Sequence, residues 1–225
     1  MNKKRLNFDN FYPKNIQRIK ETGTQEEKDL IKEINVLVRG VCEGNYCYKH
    51  NSVLYGDEPP IPERSWKREY LRQAIKGCKR GLEIGFNAGH SAAIMLCTEP
   101  QLHLSAIDIG RYSYTKRCAL LFTAHFKDRF QFIMRSSQNI LPVSTGQCDF
   151  VHIDGGHDDK EVMMDLEWAC DNTIQGGKIL IDDAYFFHIK RLYVDKINKG
   201  ILKLAETKMK SSQENILLEN IWMNK

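Results

Sequence analysis

The sequence contains no apolar run approaching the roughly 20 residues that a membrane-spanning helix needs, which excludes an integral helical membrane protein. It also lacks a decisive charge of one sign. Lys and Arg total 33 against 29 Asp and Glu, and a scattered net +4 does not call for a nucleic-acid partner. The first nine residues are basic but have no apolar stretch of the kind a secretory signal carries. There is no internal repeat and no low-complexity tract. Cysteine is present but unpatterned. The seven are odd in number and dispersed, and the one close pair, Cys42 and Cys47, has no second pair or matched histidines after it. Zinc needs four convergent ligands, so reduced, mostly buried thiols in a cytoplasmic protein are the expectation. With 42% hydrophobic and 28% charged residues over 225 positions, disorder is excluded and one sizeable core is affordable, but not two independent domains.

Two textures divide the chain at about residue 78. The first part is rich in Lys and Glu and reads as helix and loop. Leu30, Ile31, Ile34, Leu37 and Val38 mark a helix over 26–38, a proline-rich stretch covers 56–66, and a short helix follows over 70–75. From residue 79 onward, apolar strands (81–86, 104–109, 131–135, 149–154, 178–183) alternate with helices (91–97, 115–127, 160–172). That alternation predicts βαβ crossovers and a parallel sheet covered on both faces. A basic helix over 188–196 and two closing antiparallel runs, 203–209 and 215–223, complete the pattern.

Such an open sheet binds ligands where loops leave the carboxyl ends of its strands, and four of the five strands end in chemically useful residues. The first runs into Glu83-Ile84-Gly85-Phe86-Asn87-Ala88-Gly89-His90-Ser91. The spacing G-x-x-x-G omits the glycine a dinucleotide pyrophosphate wants, which disfavours NAD. Gly85 permits a sharp turn, and a helix start at Ser91 offers N–H and O–H donors to a carboxylate, which suits the amino-acid end of S-adenosylmethionine; a plain tight turn is the competing account. Asp108 ends the second strand about 20 residues on, placed to accept from ribose hydroxyls or to cap a helix. Ser137 and Gln138 follow the third strand. Asp154 closes the fourth, and Asp182 with Asp183 the fifth. Three converging carboxylates would raise one another's pKa unless a cation lies among them, and hard oxygen ligands at a cleft suit Mg²⁺. Both members of the Asp182–Asp183 pair reach one ion only if the chain bends there, since successive strand residues face opposite ways. His157 has a near-neutral pKa suited to a general base, whereas His152 inside the fourth strand reads as a wall or core residue.

In order along the chain, LEIGFNAGHSA, AIDIG, RSSQNILP, HIDGGH and GGKILIDDAY resemble the motifs of class I S-adenosylmethionine-dependent methyltransferases. The likeness is nearest to the small-molecule O-methyltransferases of catechol and macrolide-sugar type, and it spans about residues 71–225. It implies a Rossmann-like, doubly wound, mostly parallel seven-stranded sheet with an antiparallel closing strand. An N-terminal helical or lid segment (1–78) would then precede one methyltransferase domain (79–225). Carried over by residue, Glu83, Gly85, Asn87, Gly89, His90 and Ser91 belong to the methionine end of the cofactor site, with Asp154 also beside the cofactor. Asp108 would serve the ribose, and Ser137 and Gln138 the adenine. Asp154, Asp182 and Asp183 would hold Mg²⁺ or another divalent ion, and His157 stands where the catechol type has its lysine base. The expected activity is O-methylation of a sugar, glycan or other small polyol. A catechol or phenol acceptor is the alternative, ahead of a nucleic-acid or protein methyltransferase or a cofactor-binding module without catalysis.

Overall fold

The computed structural model describes residues 19–140, 147–207, 209 and 214–222. Helix α1 (Gln25–Val38) starts where Thr24 accepts the Glu27 N–H at 3.1 Å, with Glu26 and Glu27 favourably placed in its first turn. Its Leu30, Ile31, Ile34 and Val38 point inward as their spacing requires. A two-stranded antiparallel hairpin, β1 (Gly40–Cys42) and β2 (Ser52–Leu54), follows. The reading of this region as helix and loop omitted the hairpin, because three-residue strands leave too short an alternation to recognise. Helix α2 (Ser65–Ile75) starts five residues earlier than expected. A single turn at Pro62–Arg64 leads into it.

The sheet comprises β3 (Arg80–Ile84), β4 (His103–Asp108), β5 (Phe130–Met134), β6 (Cys148–Ile153), β7 (Thr173–Ile181), β8 (Leu202–Leu204) and β9 (Ile216–Asn220). Its order is β5-β4-β3-β6-β7-β9-β8, parallel from β5 to β7, with β9 antiparallel to both neighbours. This is the Rossmann-like arrangement with an antiparallel closing strand. Between strands run α3 (His90–Thr98), α4 (Thr115–Phe126), the short α5 (Ser137–Ile140), α6 (Asp159–Asn172) and α7 (Phe187–Asn198). Strand residues alternate between two cores. Phe150, Leu180 and Leu217 join a core with α1 to α4, whereas Val151, Ile179, Ile181 and Leu218 join one with α6 and α7. The first core runs without a break from Leu30 to Phe130, so α1 and α2 pack as part of the sheet's own covering layer.

Within that layer Trp66 and Tyr70 stack on each other, centroids 4.9 Å apart. All seven cysteines are free and six are buried; burial pushes the Cys42 thiol up to about 11 and Cys47 up to about 12. Leu141 and Pro142 of the third motif, Met223, and the basic cluster Lys3–Arg5 lie outside the described residues. Among the described residues no helix is long and apolar enough to cross a membrane.

Candidate active site

β3 is where the strand order reverses: β4 lies on one side of it and β6 on the other. The loops leaving these strands diverge and open a cavity of about 910 Å³. That size is near the top of the range of about 300–1,000 Å³ seen for ligand pockets, so a cofactor and an acceptor fit side by side.

The glycine loop forms one wall. Gly85 has φ +94°, and a Cβ there would stand 1.9 Å from the Asp154 carbonyl oxygen, so only glycine allows the loop to pass the end of β6. Asn87, at φ +53°, gives its N–H to Asp108 Oδ2 at 2.7 Å, while Asp108 Oδ1 accepts the Gly110 N–H at 2.6 Å. Asp108 therefore braces the loop and its own turn, and it still faces the cavity with lone pairs to spare. Ser91 donates to Glu83 Oε1 at 2.5 Å from the first turn of α3.

Gly85, Asn87, His90, Ser91, Asp108, Ser137 and Asp154 line the cavity. Glu83, Gly89 and Gln138 do not. Glu83 is fully buried behind the loop, where it receives Ser91 and leaves Oε2 without a partner among the described residues. Gly89 turns at φ +89° against the Phe86 and Phe122 rings, a packing role. His90 sits at the cavity floor with Nε2 3.3 Å from Asn35 Oδ1, and burial pushes it down to about 3, so it is neutral.

Beside the glycine loop Asp154 follows β6, and Asp182 and Asp183 follow β7. Asp183 takes φ +52°, so the chain bends at the pair. The three carboxylates nonetheless divide. Ligand atoms of Asp154, His157 and Asp183 lie within 4.8 Å of one another, and those of His152, Asp154 and Asp182 form a second, more buried group. His157 Nε2 is 3.0 Å from Asp183 Oδ2, a bond that raises its pKa. Asp182 instead meets a cation absent from the expected site: Lys67 Nζ, carried in by α2, is 2.6 Å from its Oδ2. Burial alone would push Asp182 upward, but Lys67 outweighs it and holds the carboxyl below its usual range. Burial and the neighbouring Asp182 raise Asp154 well above the ordinary range.

A buried polar chain runs from Asp182 to Glu83. Asn215 Nδ2 donates to Asp182 Oδ1 at 2.9 Å and to Tyr46 Oη at 3.0 Å. Tyr46 Oη is 3.0 Å from His152 Nε2, and His152 Nδ1 is 3.1 Å from Glu83 Oε1. Tyr46 accepts from Asn215, and its own hydroxyl proton is free to be donated to His152 Nε2 in the tautomer that has its proton on Nδ1. His152 is thus the satisfied wall residue expected of it. Lys67, Tyr46 and Asn215 escaped the sequence reading because they lie in no recognisable motif.

Residues 82–184 match the family model of a methyltransferase domain. No curated protein matches the chain. Solved structures share the fold. One is a Klebsiella pneumoniae protein assigned to the O-methyltransferases, with 16% identity over 88% of this chain and 90% of that one and a TM-score of 0.59. Another is the O-methyltransferase TomG of Streptomyces achromogenes, which is involved in tomaymycin synthesis and was solved with S-adenosylmethionine; identity is 17% over 70% and 80% of the chains, TM-score 0.53. A third is an rRNA methylase of Streptococcus thermophilus, at 10% identity over 70% and 96%, TM-score 0.52. Residues 82–184 thus resemble a methyltransferase domain, and the Rossmann-like sheet is the fold these solved structures share. Because these neighbours act on unlike acceptors, the fold leaves the acceptor open.

Proposed function

We propose that this protein transfers the methyl group of S-adenosylmethionine to a hydroxyl oxygen of a sugar, glycan or other small polyol, with a divalent cation assisting. The observation that carries the reading is one continuous cavity lined both by Asp108, Ser137 and the Gly85–Ser91 loop and by Asp154, His157 and Asp183. The first set suits a nucleoside joined to an amino acid: a carboxylate faces the ribose hydroxyls and the α3 N-terminus meets a carboxylate. The second suits Mg²⁺, which typically takes one or two carboxylates and keeps other positions for water and substrate oxygens. Asp154 and Asp183 would hold it, and when bound it lowers the pKa of a hydroxyl on the acceptor.

The chain's own residues do the rest. Methyl transfer forms a bond from the acceptor oxygen to the methyl carbon as the carbon–sulfur bond breaks, its electron pair going to sulfur. The hydroxyl proton must leave. With Nε2 tied to Asp183, His157 presents Nδ1 as the acceptor for that proton. Half-exposed Tyr185, beside Phe186 at the cavity edge, offers a ring face for a sugar or a phenol. The cavity lining carries more Asp and Glu than Lys and Arg, although Arg64, Lys67, Arg111 and Arg135 are among it, and this acidic balance opposes a phosphate backbone and favours a small acceptor over RNA.

The test is transfer of labelled methyl to a panel of sugars, glycans and catechols, with Mg²⁺ and with EDTA. Labelling of a sugar or polyol that EDTA abolishes is expected. Full turnover in excess chelator would remove the cation, and labelling confined to catechols would replace the acceptor class.

A further inference from the structure

The donors around Asp182 all belong to the protein. Lys67 Nζ bonds Oδ2, while Asn215 Nδ2 and the Asp183 N–H bond Oδ1, the latter at 2.8 Å. The ammonium is itself enclosed, with 8% of its side chain exposed, 4.5 Å over the Tyr46 ring and 3.8 Å from Glu214. A buried carboxylate with this many fixed donors gains little by exchanging them for a hydrated cation. All three carboxylates line the cavity, but Asp183 differs in its partner: its side chain turns toward His157 and away from Lys67's ion pair with Asp182.

We propose that Lys67 is a positioning residue that keeps Asp182 bonded into the protein and so leaves a divalent ion to Asp154 and Asp183 alone. This rests on the cation-assisted reading above. Three carboxylates with one ammonium among them carry a net charge of −2 in place of −3, so Lys67 also weakens the site for cations in general. The device comes from the N-terminal segment, which thereby tunes a site made by strand ends more than 80 residues away.

Direct Mn²⁺ binding to the purified full chain, read by the electron paramagnetic resonance of free Mn²⁺, tests this without an activity assay. Lys67→Met should tighten binding at least fivefold by releasing Asp182. Should that variant fold poorly with a buried charge uncompensated, the double variant Lys67→Met/Asp182→Asn removes both partners and preserves neutrality. Its affinity should stay within threefold of wild type, whereas Asp183→Asn should lose tenfold or more. A double variant that loses as much as Asp183→Asn would show Asp182 to be a ligand and overturn the role of Lys67. Absence of Mn²⁺ binding in wild type and Lys67→Met alike, with S-adenosylmethionine still bound, would overturn it together with the divalent-cation reading.

Discussion

Gly85 lies so close to the carbonyl of Asp154 that these two residues fix the loop after β3 against the carboxyl end of β6. A methyl group on Gly85 would fall 1.9 Å from that oxygen, and the backbone there has φ +94°. Neither partner can yield, since both are main chain at the ends of adjacent parallel strands. Gly85→Ala should therefore lower unfolding free energy by about 3 kcal/mol, combining strain with displacement of the loop. Urea denaturation reads the first effect and equilibrium dialysis with S-adenosylmethionine the second.

Tyr46 is a link in the buried chain between Asp182 and Glu83. Tyr46→Phe keeps the ring under Lys67 but removes the hydroxyl that bonds His152 Nε2 and accepts from Asn215 Nδ2, which retains Asp182. The expected cost is about 2 kcal/mol, a fall in Tm of about 6 °C for a chain of this size. A melt within 1 °C of wild type would mean the chain of bonds contributes nothing to stability.

His90 makes stability depend on acid. Its folded pKa is depressed to about 3, so the neutral ring belongs to the native state, while the unfolded chain takes up a proton below about 6.5. This stabilisation is complete above pH 6.5 and is lost as the pH falls, by about 2 kcal/mol between pH 7 and 5. Asp165 acts in the opposite direction. Burial lifts it to about 6 against the pull of Ser137, so its protonation below that value favours the native state by about 1 kcal/mol over the same range. Wild type should lose little net stability on acidification. Asp165→Asn should lose about 2 kcal/mol, and His90→Asn should lose none. Urea titrations of the three proteins at pH 7 and 5 separate the two groups.

His157 is half-exposed and holds no core position, so His157→Ala should leave the melting temperature within 2 °C of wild type. If Nδ1 takes the acceptor's proton, kcat should fall about 100-fold with KM for S-adenosylmethionine little changed. A kcat within a few-fold of wild type would assign the proton to another group.

The parallel sheet was legible because its signals are local. Runs such as Leu104 to Asp108 and Phe150 to Ile153 are short, apolar and separated by helical spacing, and the observed strands begin and end close to where that pattern places them. Strand 173–181 began five residues earlier than read, since Gly176 and Gly177 interrupt the apolar run without ending the strand. The β1–β2 hairpin was not legible at all: Val41 and Val53 pair across it with exposed side chains and only Cys42 and Leu54 turn inward, one residue per strand, too short an alternation to recognise.

The amino-acid order by itself determined the sheet, the loop after β3, and the placing of Asp108, Asp154, Asp182 and Asp183 at strand ends, because period-two and period-3.6 patterns act over a few residues. Only the tertiary structure decided how those groups are shared out. Lys67 reaches Asp182 across 115 positions and Asn215 reaches Tyr46 across 169, and no spacing rule spans such distances. A buried carboxylate must be compensated by whatever the packing of α2 and β9 brings within reach, and that is a property of the folded core.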